Sequence, residues 1–171
     1  MFAAFATQLR RLPEVSATVL ELGSGPGFLA NYLLEALPRF RFTLLDFSSA
    51  MHDLARARLA ERADDVRFLT CDFREPGWTD GLKGFDAVIT NQAVHELRHK
   101  RYAPTLHGRV TSVLKPGAPY LVCDHFAGEG GMKNEQLFMT VGEQRQALLD
   151  AGFRSVEQVA IAGALVLHRA A

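Results

Sequence analysis

The sequence predicts a single doubly wound α/β domain, whose mostly parallel seven-stranded sheet ends in an antiparallel hairpin. Three observations predict this fold. Short apolar runs alternate with helical segments, a glycine-rich turn follows the first run, and one short turn separates the last two runs. Alternating βα units build parallel sheets with right-handed crossovers, whereas strands joined by a short turn pair antiparallel. With 171 residues, the chain is long enough to bury one such core.

The five predicted parallel strands are continuous apolar runs, which is typical of strands covered by helices on both faces. They are Thr18–Leu22, Phe42–Asp46, Val66–Cys71, Phe85–Thr90 and Pro119–Asp124. Helical spacing of apolar residues predicts helices at Gly27–Leu37, Met51–Arg62, Tyr102–Leu114 and Val141–Ala151. The hairpin strands are Val156–Ile161 and Ala164–His168. We also expect an N-terminal helix within residues 1–17 and a loop at residues 125–140 that could serve as a lid.

The most informative segment is the turn after the first strand, where three alternating glycines lead directly into a helix. An acidic residue precedes them, so that the turn contains Glu21, Gly23, Ser24, Gly25 and Gly27. Glycine permits positive φ angles and lets the backbone approach a ligand closely, and a helix N-terminus adds unpaired N–H donors. This turn by itself also fits a dinucleotide-binding oxidoreductase.

The neighbouring segments make the interpretation more specific. Asp46-Phe47 ends the second strand, Asp72-Phe73 follows the third, and Asn91-Gln92 follows the fourth. Together with the glycine turn and the Lys115-Pro116-Gly117 turn, these motifs resemble, in order, those of class I S-adenosylmethionine-dependent methyltransferases. The resemblance covers nearly the whole chain and implies a Rossmann-like methyltransferase fold.

The resemblance also implies a role for each matching position. Asp46 would accept the ribose hydroxyls, Phe47 and Met51 would flank the adenine, and Asp72 with the Phe73 N–H would bind its edge. Glu21 would orient the methionine end. The remaining cofactor-binding candidates are Gly23, Ser24, Gly25, Gly27, Asn91 and Gln92.

No residue is predicted to be catalytic by its motif alone, because methyl transfer mainly needs positioning and a dry site. His95 and His125 follow the fourth and fifth strands, and either could accept a proton from the acceptor. The alternative for both is a structural role. His99 and His107 are expected to be exposed helix residues, and no metal site is expected.

The amino-acid composition narrows the classes of molecule that the protein is expected to bind. Lys plus Arg and Asp plus Glu are 19 each, so the zero formal charge argues against a nucleic-acid substrate. Without a signal sequence or a membrane span we expect a cytoplasmic protein with a small-molecule acceptor. Phe2, Phe5 and Leu9 could form a homodimer surface. Three alternatives stay open: a non-catalytic S-adenosylmethionine-binding module, a protein or RNA methyltransferase, and a nucleotide-dependent oxidoreductase.

Overall fold

The computed structural model describes residues 1–13 and 16–171 and contains the predicted seven-stranded sheet. The strand order is β3-β2-β1-β4-β5-β7-β6; β1 to β5 are parallel and β7 is antiparallel to both of its neighbours. The strands are Thr18–Leu22 (β1), Arg41–Asp46 (β2), Val66–Thr70 (β3), Ala87–Asn91 (β4), Tyr120–His125 (β5), Val156–Ala162 (β6) and Leu165–Ala170 (β7). The fold class predicted from the sequence is therefore confirmed.

In the part of the chain that the structure describes, five α-helices flank the sheet, and their ends follow local sequence signals. They are Phe2–Leu9 (α1), Phe28–Ala36 (α2), Ser49–Leu59 (α3), Ala103–Val113 (α4) and Val141–Asp150 (α5); 3₁₀ turns cover Ala60–Asp65, Val94–Leu97 and Lys100–Tyr102. The Ser48 hydroxyl accepts from the Met51 N–H at the start of α3. Thr140 and Glu143 form a reciprocal capping box at the start of α5.

Alternate side chains of each central strand enter two separate cores. One core lies between the sheet and α1, α2 and α3, and contains Phe5, Leu33 and Leu121. The other lies between the sheet and α4 and α5, and contains Leu106 and Tyr120. Both faces of the sheet are thus buried. A ligand site is therefore expected at the edge where the parallel strands end.

The N-terminal helix is shorter than the segment in which it is expected. The helix ends at Leu9 and does not continue through residues 1–17, of which Glu14 and Val15 lie outside the described residues. Phe5 and Leu9 are fully buried in this chain's own core, so they cannot form a dimer surface.

His107 corrects a second expectation, because it is buried on α4 and not exposed. Burial, and then the nearby charge of His168, lower the pKa of His107 to about 3. Both histidines are therefore neutral core residues near pH 7. Within the described ranges, no helix is both long and apolar enough to cross a bilayer, and no group of three or more His, Cys, Asp or Glu side chains could hold a metal ion.

Candidate functional site

A cleft of about 360 Å³ opens at the carboxyl edge of the sheet. It collects most of the residues singled out from the motifs: Gly23, Gly25, Asp46, Phe47, Met51, Asp72, Phe73 and Gln92. Parallel pairing explains this, because it brings the ends of β1, β2, β3 and β4 to one edge. Glu21, Ser24, Gly27 and Asn91 are not part of the lining.

Gly23 and Gly25 lack a side chain for two different structural reasons. A Cβ on Gly23 would lie 2.4 Å from Cβ of Ala93, in the turn after β4, and the residue has a φ of +66°. Gly23 therefore allows two turns to pack together. A Cβ on Gly25 would meet nothing within 4 Å, at a residue that lines the cleft. The backbone of Gly25 is thus left open to a ligand. Gly27 ends the turn as the N-cap of α2.

Asp46 holds the turn together from the end of β2. Its Oδ2 accepts from the Gly25 N–H at 2.8 Å, and its Oδ1 accepts from the Ser48 N–H at 2.9 Å. Each carboxylate oxygen has two lone pairs, so each can still accept one hydrogen bond from a ligand. The predicted contact with two ribose hydroxyls needs this capacity. Phe47 follows with 62% of its surface exposed, as a ring that can cover an adenine.

Asp72 is fixed by a neighbour that the motifs did not indicate. The Arg74 guanidinium donates to both carboxylate oxygens at 2.6–2.9 Å, and the Arg74 N–H donates to Oδ1. These hydrogen bonds lower the pKa of Asp72 and keep it an acceptor. Each carboxylate oxygen already accepts two hydrogen bonds from Arg74, so an exocyclic amine could bind Asp72 only in place of one of them.

Four further residues that sequence reasoning missed line the cleft: Ser48, Ala93, Glu96 and Arg98. Two residues of the lining, Gln92 and Arg98, have left-handed φ angles of 57° and 64°. Such angles are uncommon outside glycine and occur often at functional sites. They bracket the short turn that carries His95, and no sequence signal distinguishes them.

The structure brings both candidate histidines together beside this cleft. Asp124, buried at the end of β5, accepts from the His95 N–H at 2.8 Å and pairs with its Nδ1 at 2.7 Å. When Nδ1–H of a neutral His95 donates to Asp124, Nε2 carries the free lone pair. Nε2 lies 3.6 Å from Oε1 of Glu96, which belongs to the cleft. The His125 ring lies 5.7 Å from that of His95.

Comparison with known proteins identifies the family of the chain. The sequence model of the family described as "Methyltransferase domain" matches residues 19–117, more than half of the chain. The chain belongs to this family.

Individual relatives have low sequence identity to this chain or match only part of it. A non-reducing polyketide synthase of Emericella nidulans is 33% identical over 86 residues, which are 47% of this chain and 3% of the synthase. An O-methyltransferase family protein from Burkholderia thailandensis has 19% identity and a TM-score of 0.79, with 98% of this chain and 55% of that one covered. Human N-acetylserotonin methyltransferase, solved with S-adenosylmethionine, has 20% identity and a TM-score of 0.76, with 99% and 50% covered. The chain thus spans about half of each solved protein and a small part of the synthase.

S-adenosylmethionine is the cofactor of this methyltransferase domain, as the motif order predicted, and the buried groups at the cleft fit it. Within residues 1–13 and 16–171, three buried polar atoms near Gly23 have no hydrogen-bond partner: Glu21 Oε2, Ser24 Oγ and Asn91 Oδ1. Buried polar groups are normally paired, so unpaired ones indicate a missing ligand or water. The methionine end of the cofactor offers an ammonium group, a carboxylate and a sulfonium to such groups.

Glu21 is the ionisable residue among the three, and its pKa is strongly shifted. It is 2% exposed, and burial, followed by the negative charge of Asp46, raises its pKa to about 8. Without a ligand the side chain is therefore mostly protonated at pH 7. A cationic ligand nearby favours the carboxylate and lowers the pKa again.

We expect S-adenosylmethionine binding at pH 7 to release approximately one proton from the wild-type domain, and almost none from Glu21→Gln. Calorimetric titrations in phosphate and Tris, which differ in ionisation enthalpy, measure this proton as a difference in heat. The Gln variant is the matched control because it keeps the shape and cannot ionise. Equal buffer differences for both proteins would contradict a role of Glu21 in charge recognition.

Proposed function

We propose that the methyltransferase domain transfers the methyl group of S-adenosylmethionine to a small-molecule acceptor, with His95 as the general base and Asp124 as the residue that orients it. The observation that carries this proposal is the 2.7 Å pair between His95 Nδ1 and Asp124 beside the cofactor cleft. A binding module without activity has no need of such a pair. Family membership decides against the oxidoreductase alternative.

The cofactor, when bound, would supply a methyl group on a sulfonium sulfur; attack of the acceptor on that methyl carbon breaks the S–CH3 bond and releases S-adenosylhomocysteine as a thioether. His95 then accepts the acceptor's proton at Nε2. The hydrogen bond to Asp124 raises the pKa of His95, because the carboxylate stabilises the imidazolium. Asp124 Oδ1 also accepts from the backbone N–H of His125 at 2.7 Å, which fixes the carboxylate that holds His95.

Three observations support a small acceptor. The His95 ring lines a narrow, mostly apolar pocket with Val94, Phe138 and Met139. The chain has no net charge to attract a nucleic acid. In addition, one relative is a polyketide synthase, which makes small molecules.

Labelled methyl transfer tests the proposal. The domain is incubated with methyl-labelled S-adenosylmethionine and a cell extract separated into metabolite, protein and RNA fractions, and calorimetry with S-adenosylhomocysteine and NADH runs beside it. We expect label in the metabolite fraction, and binding of S-adenosylhomocysteine but not of NADH. Label in the protein or RNA fraction would mean that the acceptor is a macromolecule and not a small molecule. Label in no fraction would favour the non-catalytic binding module. Failure to bind S-adenosylhomocysteine would overturn the proposal as a whole.

A further inference from the structure

We propose that Phe138 occupies the position of the acceptor in this structure, and that the acceptor carries a hydroxylated aromatic ring. This inference rests on the proposed function. It names the substrate class of the same site, and it follows from what surrounds the Phe138 side chain.

Phe138 closes a triangle of rings with the two candidate histidines. Its ring centroid lies 5.6 Å from that of His95 and 5.8 Å from that of His125, and the histidine rings lie 5.7 Å apart. Such distances are typical of aromatic packing pairs. A flat six-membered ring therefore fits between the two imidazoles, and it is 8% exposed there.

The phenyl ring matches this space in shape but not in chemistry. Three polar atoms that are buried without a partner belong to residues lining the same pocket: His107 Nδ1, His125 Nδ1 and Gln144 Oε1. With Phe138 in place only about 10 Å³ remains, roughly the room of one water. Phe138 offers these atoms no hydrogen bond. A ring of the same size with a hydroxyl group would.

Phe138 can leave this position without rearranging the framework. It lies in residues 126–140, which contain no helix or regular strand and include Gly128 and Gly130 at positive φ. Its neighbours in the pocket lie on fixed elements: His95 on a 3₁₀ turn, His125 on β5 and Gln144 on α5. The side chain of Gln144 is anchored by donating to the His125 carbonyl at 2.9 Å. The part of the pocket formed by His95, His125 and Gln144 thus stays in place when the loop moves, whereas Leu137 and Met139 move with it.

Cavity binding in Phe138→Ala is the first test, made on the full chain with phenol and toluene as probes. We expect phenol to bind about 10-fold more tightly than toluene, because only phenol can pair with the buried polar atoms. Titrations followed by thermal unfolding measure both affinities, and wild type serves as the filled-pocket control. Equal binding, tighter toluene binding or no binding of either probe would overturn the inference.

Phe138→Tyr tests the same point without a ligand. The new hydroxyl should pair inside the pocket and raise Tm by about 2–4 °C. The matched control is Phe42→Tyr, which places a hydroxyl in the apolar core under α1 to α3 and should lower Tm. A fall in Tm for Phe138→Tyr like that of the control would count against the inference. Both Phe138 variants should keep the wild-type affinity for S-adenosylhomocysteine, so a failure here is distinct from a failure of cofactor binding.

Discussion

Replacing Asp46 by Ala should weaken S-adenosylhomocysteine binding at least about 100-fold, because two charge-assisted hydrogen bonds are lost and each contributes about 1.5–3 kcal/mol. The side chain has one free lone pair on each oxygen for this contact. It also organises the site, since it accepts from the N–H groups of Gly25 and Ser48. Calorimetric titration of both proteins measures the loss.

Two controls separate binding from folding in this experiment. Asp53→Ala removes an exposed carboxylate from α3, near the same cleft, and should leave the affinity unchanged. Asp46→Asn keeps the shape of the side chain and one acceptor oxygen, so it should bind with intermediate affinity. Thermal unfolding shows whether each variant is folded. An unchanged affinity in a folded Asp46→Ala would mean that the carboxylate serves only the turn.

The meeting of the motif residues at one cleft could be predicted from the sequence because local segments encode it. Each motif residue lies at or just after the end of a strand, and the strands are recognisable in the sequence as apolar runs. Once the strands are parallel, Gly23, Asp46 and Asp72 must meet at one edge. The motifs do not show which other side chains contact the motif residues. The bidentate pair from Arg74 to Asp72 depends on a side-chain conformation, not on a spacing.

The acceptor half could not be predicted because distant segments form it. Sequence reasoning named His95 and His125 separately, but their common partner Asp124 had been assigned only to the end of a strand. Phe138 lies 43 positions after His95 and reaches it through a loop without periodicity. The same limit explains the error at His107, because helical spacing alone did not show that its side of α4 faces the sheet. Local pattern thus predicts which residues meet at the cleft, whereas tertiary packing decides which residues surround His95.

Replacing His95 by Gln should lower kcat about 10²- to 10⁴-fold with the acceptor identified by labelled transfer, because a positioned general base contributes a factor of this size. The affinity for S-adenosylhomocysteine should stay within about twofold, since His95 is outside the lining of the cofactor cleft. In wild type the rate should rise with pH through the pKa of His95, because only neutral imidazole accepts a proton. Since Asp124 raises this pKa, the rise should lie above pH 6.5.

Asp124→Asn makes the link between the two residues measurable without turnover. Loss of the carboxylate removes the stabilisation of the imidazolium, so the pKa of His95 should fall, which an NMR titration of the ring detects. His99→Gln is the matched control, because this half-buried histidine caps the next turn through the Arg101 N–H and lines neither cavity. A His95 pKa that does not respond to Asp124→Asn, or a kcat preserved in His95→Gln, would make the pair structural. The acceptor would then have to be acidic enough to ionise without a base from the protein, and catalysis would rest on positioning alone.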